Sequence, residues 1–353
     1  MPHSRGAHVG LSIEPGLIAA AHVSVNGTIR IEDGGCAALD PDIVRDGDVA
    51  DPEGLADALR ALWLEHKQLG KQVRIGVANA RIVVRTLYLP PIIDPKELAN
   101  AVSFQAAEAI PMPLKDAVID FHPVGITDGP NGPRQRIILV AARRDMITGM
   151  LTAARAAGLK PIGIDLSAFG MIRALQRQRR DGDPPELFVG VGGLTNLAIA
   201  DRGVCVFTRV AGGGFEALAA ELAERRELSA PQARAWLYDV GVKGVLEYTG
   251  EDAAIAADAR GVLTAGVRKI AAEIRASLDF HAAHTEDGIA VESVVLTGPA
   301  MAVPGFADAL ADHLGLDVAE RVVESNAAMK LSALDTACLS VAAGLAFEGE
   351  LPA

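Results

Sequence analysis

The stretch Val9–Gly27, VGLSIEPGLIAAAHVSVNG, decides how the rest of the chain is read. Apolar residues run from Val9 to Ile13, Pro15-Gly16 make a turn, a second apolar run follows, and Asn26-Gly27 has the composition of a tight hairpin turn. With TIRI behind it, the order is strand, turn, strand, hairpin, strand. Roughly 180 residues later the same order returns in FVGVGGLTNLAIADRGVCVF, which starts at Phe188. Identity between the two copies is low, but the succession of apolar runs and turns agrees. A strand-rich opening that occurs twice, each time followed by helices, predicts two similar α/β lobes with a cleft between them.

Between the copies, PEGLADALRALWLEHKQL spaces Leu55, Leu59, Leu62 and Trp63 as a helix over 52–69, with Asp51 as N-cap, Pro52 at the first position and Gly70 at the end. VRIGVA and IVVRTLYL read as strands. Asp94-Pro95 opens a helix to about Ala109, stopped by Pro111 and Pro113. Strands near 117–125 and 136–142 flank the loop DGPNGPRQ. A helix over 144–157 ends at Gly158, PIGIDL is a strand, a helix covers 167–180, and RRDGDPPE marks a boundary. After the second copy, helices are predicted near 214–227, 230–240, 251–258 and 262–284. The strand VESVVLTG, a turn at Pro304-Gly305 and a helix through His313 follow. The final helix, from about Ala333, carries an Ala/Gly stripe in ALDTACLSVAAGLAF that predicts close packing against the first lobe.

Composition narrows the function classes. The chain has 353 residues, half of them apolar, and a net charge of −12, which describes a globular protein of two or three domains. Such an acidic protein does not coat nucleic acid or bind anionic lipid through its overall charge. The basic run Arg177, Arg179 and Arg180 reads as a solvated helix end. Cys36, Cys205 and Cys338 lie far apart in sequence with no CxxC pair, and the eight histidines show no HExxH spacing, so neither a disulfide framework nor a zinc site is predicted. MPHSRGAHVG lacks the apolar core of a signal peptide, and no apolar run reaches the ~18 residues of a membrane span. The expected location is the cytoplasm.

The chain resembles the actin-like ATPase superfamily, and within it the type IV pilus assembly protein PilM family, related to the cell-division protein FtsA. The resemblance covers nearly the whole length. Its most specific part is RTLYLPPIIDPKELANAVSFQAAEAIPMPLKDAVIDFHPVG, carried by Arg85, Leu89, Pro90, Glu97, Leu98, Glu108, Ile110, Pro111 and Asp120. IILVAARRDMI, AAGLKPIGIDLSAFGMIRAL, EIRASLDF and VVLTGPAMAVPGF follow in family order. The implied fold is two-lobed, with subdomain 1A over 1–84 and 161–184, a 1C insertion of the FtsA/PilM type over 85–160, a second domain over 185–332, and a C-terminal helix over 333–353 returning to 1A. ATP with Mg²⁺ is expected between the lobes, its phosphates held by turn amides of both.

The resemblance also shows what is altered. Ser12 stands where the family has Asp in the first phosphate turn, and Glu14 where it has Gly. A carboxylate beside a triphosphate repels it, and Pro15 lacks an N–H donor, although Glu14 is itself a possible Mg²⁺ ligand. Gly190, Val191 and Gly192 replace Asp-Ile-Gly in the second turn, leaving Gly192, Gly193 and Thr195 to offer amides and a hydroxyl. The nucleoside-side Glu and Lys fall near Arg234 and Leu237. Pro299 and Ala300 replace two glycines beside Gly298. The helix EIRASLDF, with Glu273, Arg275 and Ser277, keeps the family pattern. These departures predict a scaffold that has lost its acid chemistry, with ATP hydrolysis absent and nucleotide binding doubtful.

What remains is a binding platform. The family resemblance implies a partner, the short cytoplasmic N-terminal segment of a PilN-like inner-membrane protein. The insertion is the expected groove, with Leu87, Leu89, Phe104 and Ile110 as apolar contacts and Arg85, Gln105 and Glu108 as polar ones. Three rivals fit less well. A membrane-anchored FtsA-like protein needs a basic amphipathic C-terminus, where FEGELPA is acidic. A GspL-like domain needs a following transmembrane helix. A small-molecule kinase needs intact phosphate turns and a carboxylate base, for which Asp165 in GIDLSAF is the candidate, although it also reads as a helix N-cap.

Overall fold

The computed structural model describes residues 8–129, 132–177, 180, 182–245, 247–284 and 290–349. Val9–Glu14 (β1), Leu17–Asn26 (β2) and Thr28–Ala38 (β3) form an antiparallel meander, with Ser12 opposite Ala19 and Ala19 opposite Cys36. Gly16 and Gly27 turn the chain with left-handed backbone, φ 78° at each, which only glycine adopts without strain. A small hairpin, β4 (Val44–Arg45) and β5 (Asp48–Val49), leads to α1 (Pro52–Glu65). The Asp51 carboxylate accepts from the N–H groups of Glu53 and Gly54, as a helix cap should. The helix stops at Glu65, short of the predicted end, because a tight turn from His66 swings Leu69 into the core.

β6 (Gln72–Val77) runs parallel beside β1. β7 (Val83–Leu89), α2 (Pro95–Ala109), β8 (Ala117–Gly129) and β9 (Gly132–Arg143) then build a separate three-stranded sheet, in the order β7-β9-β8, under one helix. The last two strands are longer than predicted. Their ladder passes a bulge at Val124 and continues to Gly129 opposite Gly132, so most of the predicted loop is strand. Pro130 and Asn131 lie outside the described residues. α3 (Arg144–Ala156) buries Met146, Ile147, Met150, Ala153 and Ala154 in the first lobe's core, not in that of the small sheet. Gly158 follows it at φ 79°. β10 (Lys160–Leu166) pairs with β6, and α4 (Ser167–Leu175) ends before the predicted 180; Arg179 of the basic run lies outside the described residues.

The second lobe opens with β11 (Glu186–Val191), β12 (Thr195–Asp201) and β13 (Val204–Ala211), another antiparallel meander. α5 (Phe215–Arg226), α6 (Ala230–Val240) and α7 (Gly250–His284) follow. α7 is one helix where two were predicted. Gly261 is exposed with open space around it, and a single exposed glycine costs a helix only about 1 kcal/mol. Gly266 has a packing role, since a Cβ there would lie 2.5 Å from the Leu218 side chain of α5. β14 (Ser293–Thr297), α8 (Phe306–Leu314), β15 (Asp317–Glu320), β16 (Glu324–Ser325) and α9 (Ala333–Leu345) complete the chain.

The duplication is visible in the sheets. The first has the order β10-β6-β1-β2-β3-β16, the second β13-β12-β11-β14-β15. In each, an antiparallel meander continues into two parallel strands from its first member, so Ser12 opposite Gly76 in one corresponds to Gly190 opposite Thr297 in the other. α9 returns to the first lobe and packs on α4 and on β1, β2 and β3. Its small residues permit backbone contact: a Cβ at Gly344 would lie 1.8 Å from the Gly170 carbonyl oxygen, and one at Gly10 would lie 1.9 Å from that of Ala342. The stripe therefore sets the distance between helix and sheet.

Candidate functional site

The ends of β1 and β11, with their turns, meet face to face between the lobes. They bring together Ser12, Glu14, Gly190, Gly192 and Gly298, with Pro299 and Cys338, around a cavity of about 20 Å³. A water molecule needs roughly 10–15 Å³, and ligand pockets occupy about 300–1,000 Å³, so this space holds one water. Thr297 is among the lining residues, and its hydroxyl is buried without a hydrogen-bond partner among the described residues.

The cleft is closed by its own side chains. Glu14 Oε2 accepts from the Gly193 N–H at 3.0 Å, with the Leu194 backbone next in the same turn. Gly193 belongs to the turn that was expected to hold phosphate, and the chain's own acid occupies its amide. Burial pushes the Glu14 carboxyl up, the Gly193 and Leu194 backbone pulls it down, and the nearby Glu216 charge pushes it up further. Glycine is required on all sides. A Cβ at Gly192 would stand 2.6 Å from Glu14 Oε2, one at Gly193 would stand 2.1 Å from the Pro15 carbonyl oxygen, and one at Gly16 would stand 2.7 Å from Glu216.

The other predicted nucleotide residues are otherwise engaged. Thr195 is buried and its hydroxyl donates to the Gly213 carbonyl at 2.8 Å. Glu273 and Ser277 do not line the cavity. Arg209 of β13 donates to both, at 2.9 Å and 3.2 Å, and the Ser277 hydroxyl donates to the Glu273 carbonyl. Arg234 clamps Glu216 with both groups largely buried, Leu237 is fully buried in the second core, and Pro299 sits against the Gly192–Glu14 contact. Ser12 is buried at the position of the expected acid. Asp165 is paired with Arg173 and also accepts from the Leu166 amide. It is not the N-cap of α4, which starts after Leu166 without a side-chain cap. Among the described residues, no three or more of His, Cys, Asp and Glu gather as a metal site. In this arrangement the residues do not fit a magnesium nucleotide: the space is too small, the Gly193 amide is occupied, and Glu14 is spent on it.

Cys36 donates to Asp335 Oδ1 at 3.5 Å across 299 positions of sequence, and Cys338, also a free thiol, has its pKa pushed well up by the neighbouring Cys36 and by burial. This cluster, of which Cys338 lines the cavity, carried no sequence signal, because β3 and α9 meet only in the folded chain.

The predicted partner residues divide. Leu87, Leu89 and Ile110 belong to the small core of the three-stranded sheet, with Leu98, Val102 and Ala106 of α2 packed on them. The strand's inward face needed these positions for its own core. Phe104 is 72% exposed, Glu108 and Arg85 are exposed, Gln105 is half-buried, and Arg85 donates to its neighbour's carbonyl, Val84 O, at 3.0 Å. A different surface is open. A groove of about 1820 Å³ runs between β8 and β9, α4, the β2–β3 hairpin and the second lobe, with Asp120, Phe121, Ile138, Phe169, Arg177 and Val322 on its walls. Its parts come from sequence-distant segments; Asp120, Phe121, Ile138 and Phe169 lie within stretches of the family resemblance, but none of them was predicted as a partner contact. Among the described residues no helix is long and apolar enough to cross a membrane.

The sequence matches the family described as type IV pilus assembly protein PilM over residues 11–350. Among solved structures, the fold is similar to a chain of a PilM-PilN type IV pilus biogenesis complex, at 24% identity and a TM-score of 0.76, covering 97% of this chain and 98% of that one. The ethanolamine utilization protein EutJ from Carboxydothermus hydrogenoformans is similar at 15% identity and a TM-score of 0.56, covering 98% of this chain and 91% of that one. MreB5 of Spiroplasma citri bound to ADP is similar at 12% identity and a TM-score of 0.51, covering 96% of this chain and 95% of that one. The two-lobed α/β fold is that of the actin-like superfamily, and the chain belongs to the type IV pilus assembly protein PilM family.

Proposed function

We propose that this protein is a non-enzymatic platform of type IV pilus assembly, working in the cytoplasm at the inner membrane, which binds the N-terminal cytoplasmic segment of a PilN-like membrane protein. One contrast carries the proposal: the nucleotide cleft is closed by the chain's own Glu14 around about 20 Å³, while a groove of about 1820 Å³ stays open beside it. The groove has apolar walls at Phe121, Ile138, Phe169 and Val322 and charged groups at Asp120 and Arg177, the mixture that an extended peptide with apolar anchors requires. The family membership supports the partner class, and the PilM-PilN complex shows that a protein of similar fold assembles with PilN. ATP and Mg²⁺ have no role in this reading.

The outer face of α2, with Phe104, Gln105 and Glu108, is the second candidate surface, favoured by the high exposure of Phe104. Isothermal titration with a synthetic N-terminal peptide of a PilN-like partner separates the two. Phe121→Ala and Val322→Glu should weaken binding tenfold or more, about 1.4 kcal/mol or more, while Phe104→Ala leaves it unchanged. The reverse pattern moves the site to α2, and no binding by the wild type defeats the platform reading. Thermal melts with millimolar Mg-ATP test the other half, since a nucleotide at 100 times its dissociation constant would add about 2.7 kcal/mol of stability. No rise in melting temperature is expected.

A further inference from the structure

Successive backbone N–H groups in a glycine turn form an anion site whether or not a phosphate is present. Gly193 and Leu194 offer successive amides of this kind, and the Gly193 N–H donates at 3.0 Å to an acid of the opposite lobe: Glu14, at the end of β1. Three close approaches surround this contact. Gly192 leaves room for the carboxylate, Gly193 lies against the Pro15 carbonyl, and Gly16 lies against Glu216. A carboxylate has the charge sign and acceptor oxygens of a phosphate, and a bond to an ionised acceptor is among the stronger hydrogen bonds.

We propose that the Gly192–Leu194 turn is a carboxylate-binding site whose resident ligand is the chain's own Glu14, and that this bond joins the lobes in place of a bound nucleotide. The inference rests on the reading that the cleft takes no nucleotide. It adds a mechanism for the platform. The groove is walled by both lobes, with Phe169 from the first and Val204 and Cys205 of β13 from the second, so the bond that joins the lobes also sets the groove's width before a partner arrives.

Glu14→Ala removes a CH₂ group and a carboxylate, leaving a gap into which acetate fits. The experiment is hydrogen exchange at the Gly193 amide of the full chain, in wild type and Glu14→Ala, with added sodium acetate or sodium chloride at equal ionic strength. In the variant, exchange at the Gly193 amide should rise about tenfold, the loss of one charge-assisted bond. Acetate should restore protection in proportion to its concentration, and chloride should not. Unchanged protection in Glu14→Ala overturns the proposal, and so does a loss that acetate fails to recover. Should Glu14→Ala not fold, Glu14→Gln is read in the same way. It keeps the acceptor oxygen without the charge, so its exchange should rise, and exchange equal to wild type overturns the role of the charge. A wild-type melt raised by Mg-ATP refutes the nucleotide-free reading separately, because the acetate result does not depend on it.

Discussion

Gly193 offers the most direct test of a closed cleft. In Gly193→Ala the new Cβ would stand 2.1 Å from the Pro15 carbonyl oxygen and 2.9 Å from the Pro15 nitrogen, both backbone atoms of the other lobe. Real Cβ contacts begin at about 3.0–3.4 Å, so one lobe must retreat by about 1 Å, with no flexible side chain to absorb the shift. Overpacking of this kind costs about 1–3 kcal/mol. The same retreat stretches the Gly193–Glu14 bond, worth roughly 1.5–3 kcal/mol as a bond to a charged group. The two losses share one displacement and do not add fully, so a total of about 2–4 kcal/mol is expected. Domains of roughly 150–250 residues lose about 2–4 °C per kcal/mol, which places the drop in melting temperature at about 4–16 °C. Gly212→Ala is the control. Gly212 is exposed, a Cβ there would meet nothing within 4 Å, and its φ is not positive, so alanine is neutral or stabilising by up to about 1 kcal/mol. Scanning calorimetry of both variants decides the matter. If Gly193→Ala melts with Gly212→Ala, the lobes are not in backbone contact at this turn and the closed cleft is wrong.

Three further outcomes are expected. Leu87→Ala should cost about 2–5 kcal/mol in urea melts through the cavity it leaves in the small core, whereas Phe104→Ala should stay within about 0.5 kcal/mol; equal losses would contradict the assigned burial. Arg234→Ala strips the largely buried Glu216 of its guanidinium and should cost up to about 3 kcal/mol, with Glu216→Gln/Arg234→Ala recovering part of it; a double variant no better than Arg234→Ala would show that the unpaired charge is not the cause. Glu14 has a pKa raised above its ordinary 4.5 by burial, so the folded chain holds this proton more tightly than the unfolded one. Its contribution to stability is full below 4.5 and declines as pH rises from there until the folded group has ionised. The difference between wild type and Glu14→Gln, measured by denaturant melts across that window, should therefore fall with rising pH; a rise would reverse the sign of the burial effect.

Local chemistry and periodicity made much of the fold legible. The meander at Val9–Ala38, its return at Glu186–Ala211, the capped helix starts at Asp51 and Asp94, and the small-residue stripe of α9 all depend on neighbours within a few positions, and that information is present in the sequence. That Ser12 and Gly190 carry no acid at the ends of β1 and β11 is likewise read directly from the sequence. Helix ends and strand lengths were less so. Leu69 ends α1 early because the core takes it, and β8 and β9 run on through Gly and Pro because each supplies the other's ladder. Leu87, Leu89 and Ile110 looked like a groove and proved to be core, since an apolar residue has the same sequence signature whether it faces a partner or its own helix. Only the tertiary structure could pair Glu14 with Gly193 across 179 positions, set Cys36 beside Asp335 across 299, or gather the groove's walls from distant segments. The physical reason is that such contacts are made by the packing of whole lobes, and no local pattern of residues encodes the distance between two surfaces that meet only after each has folded.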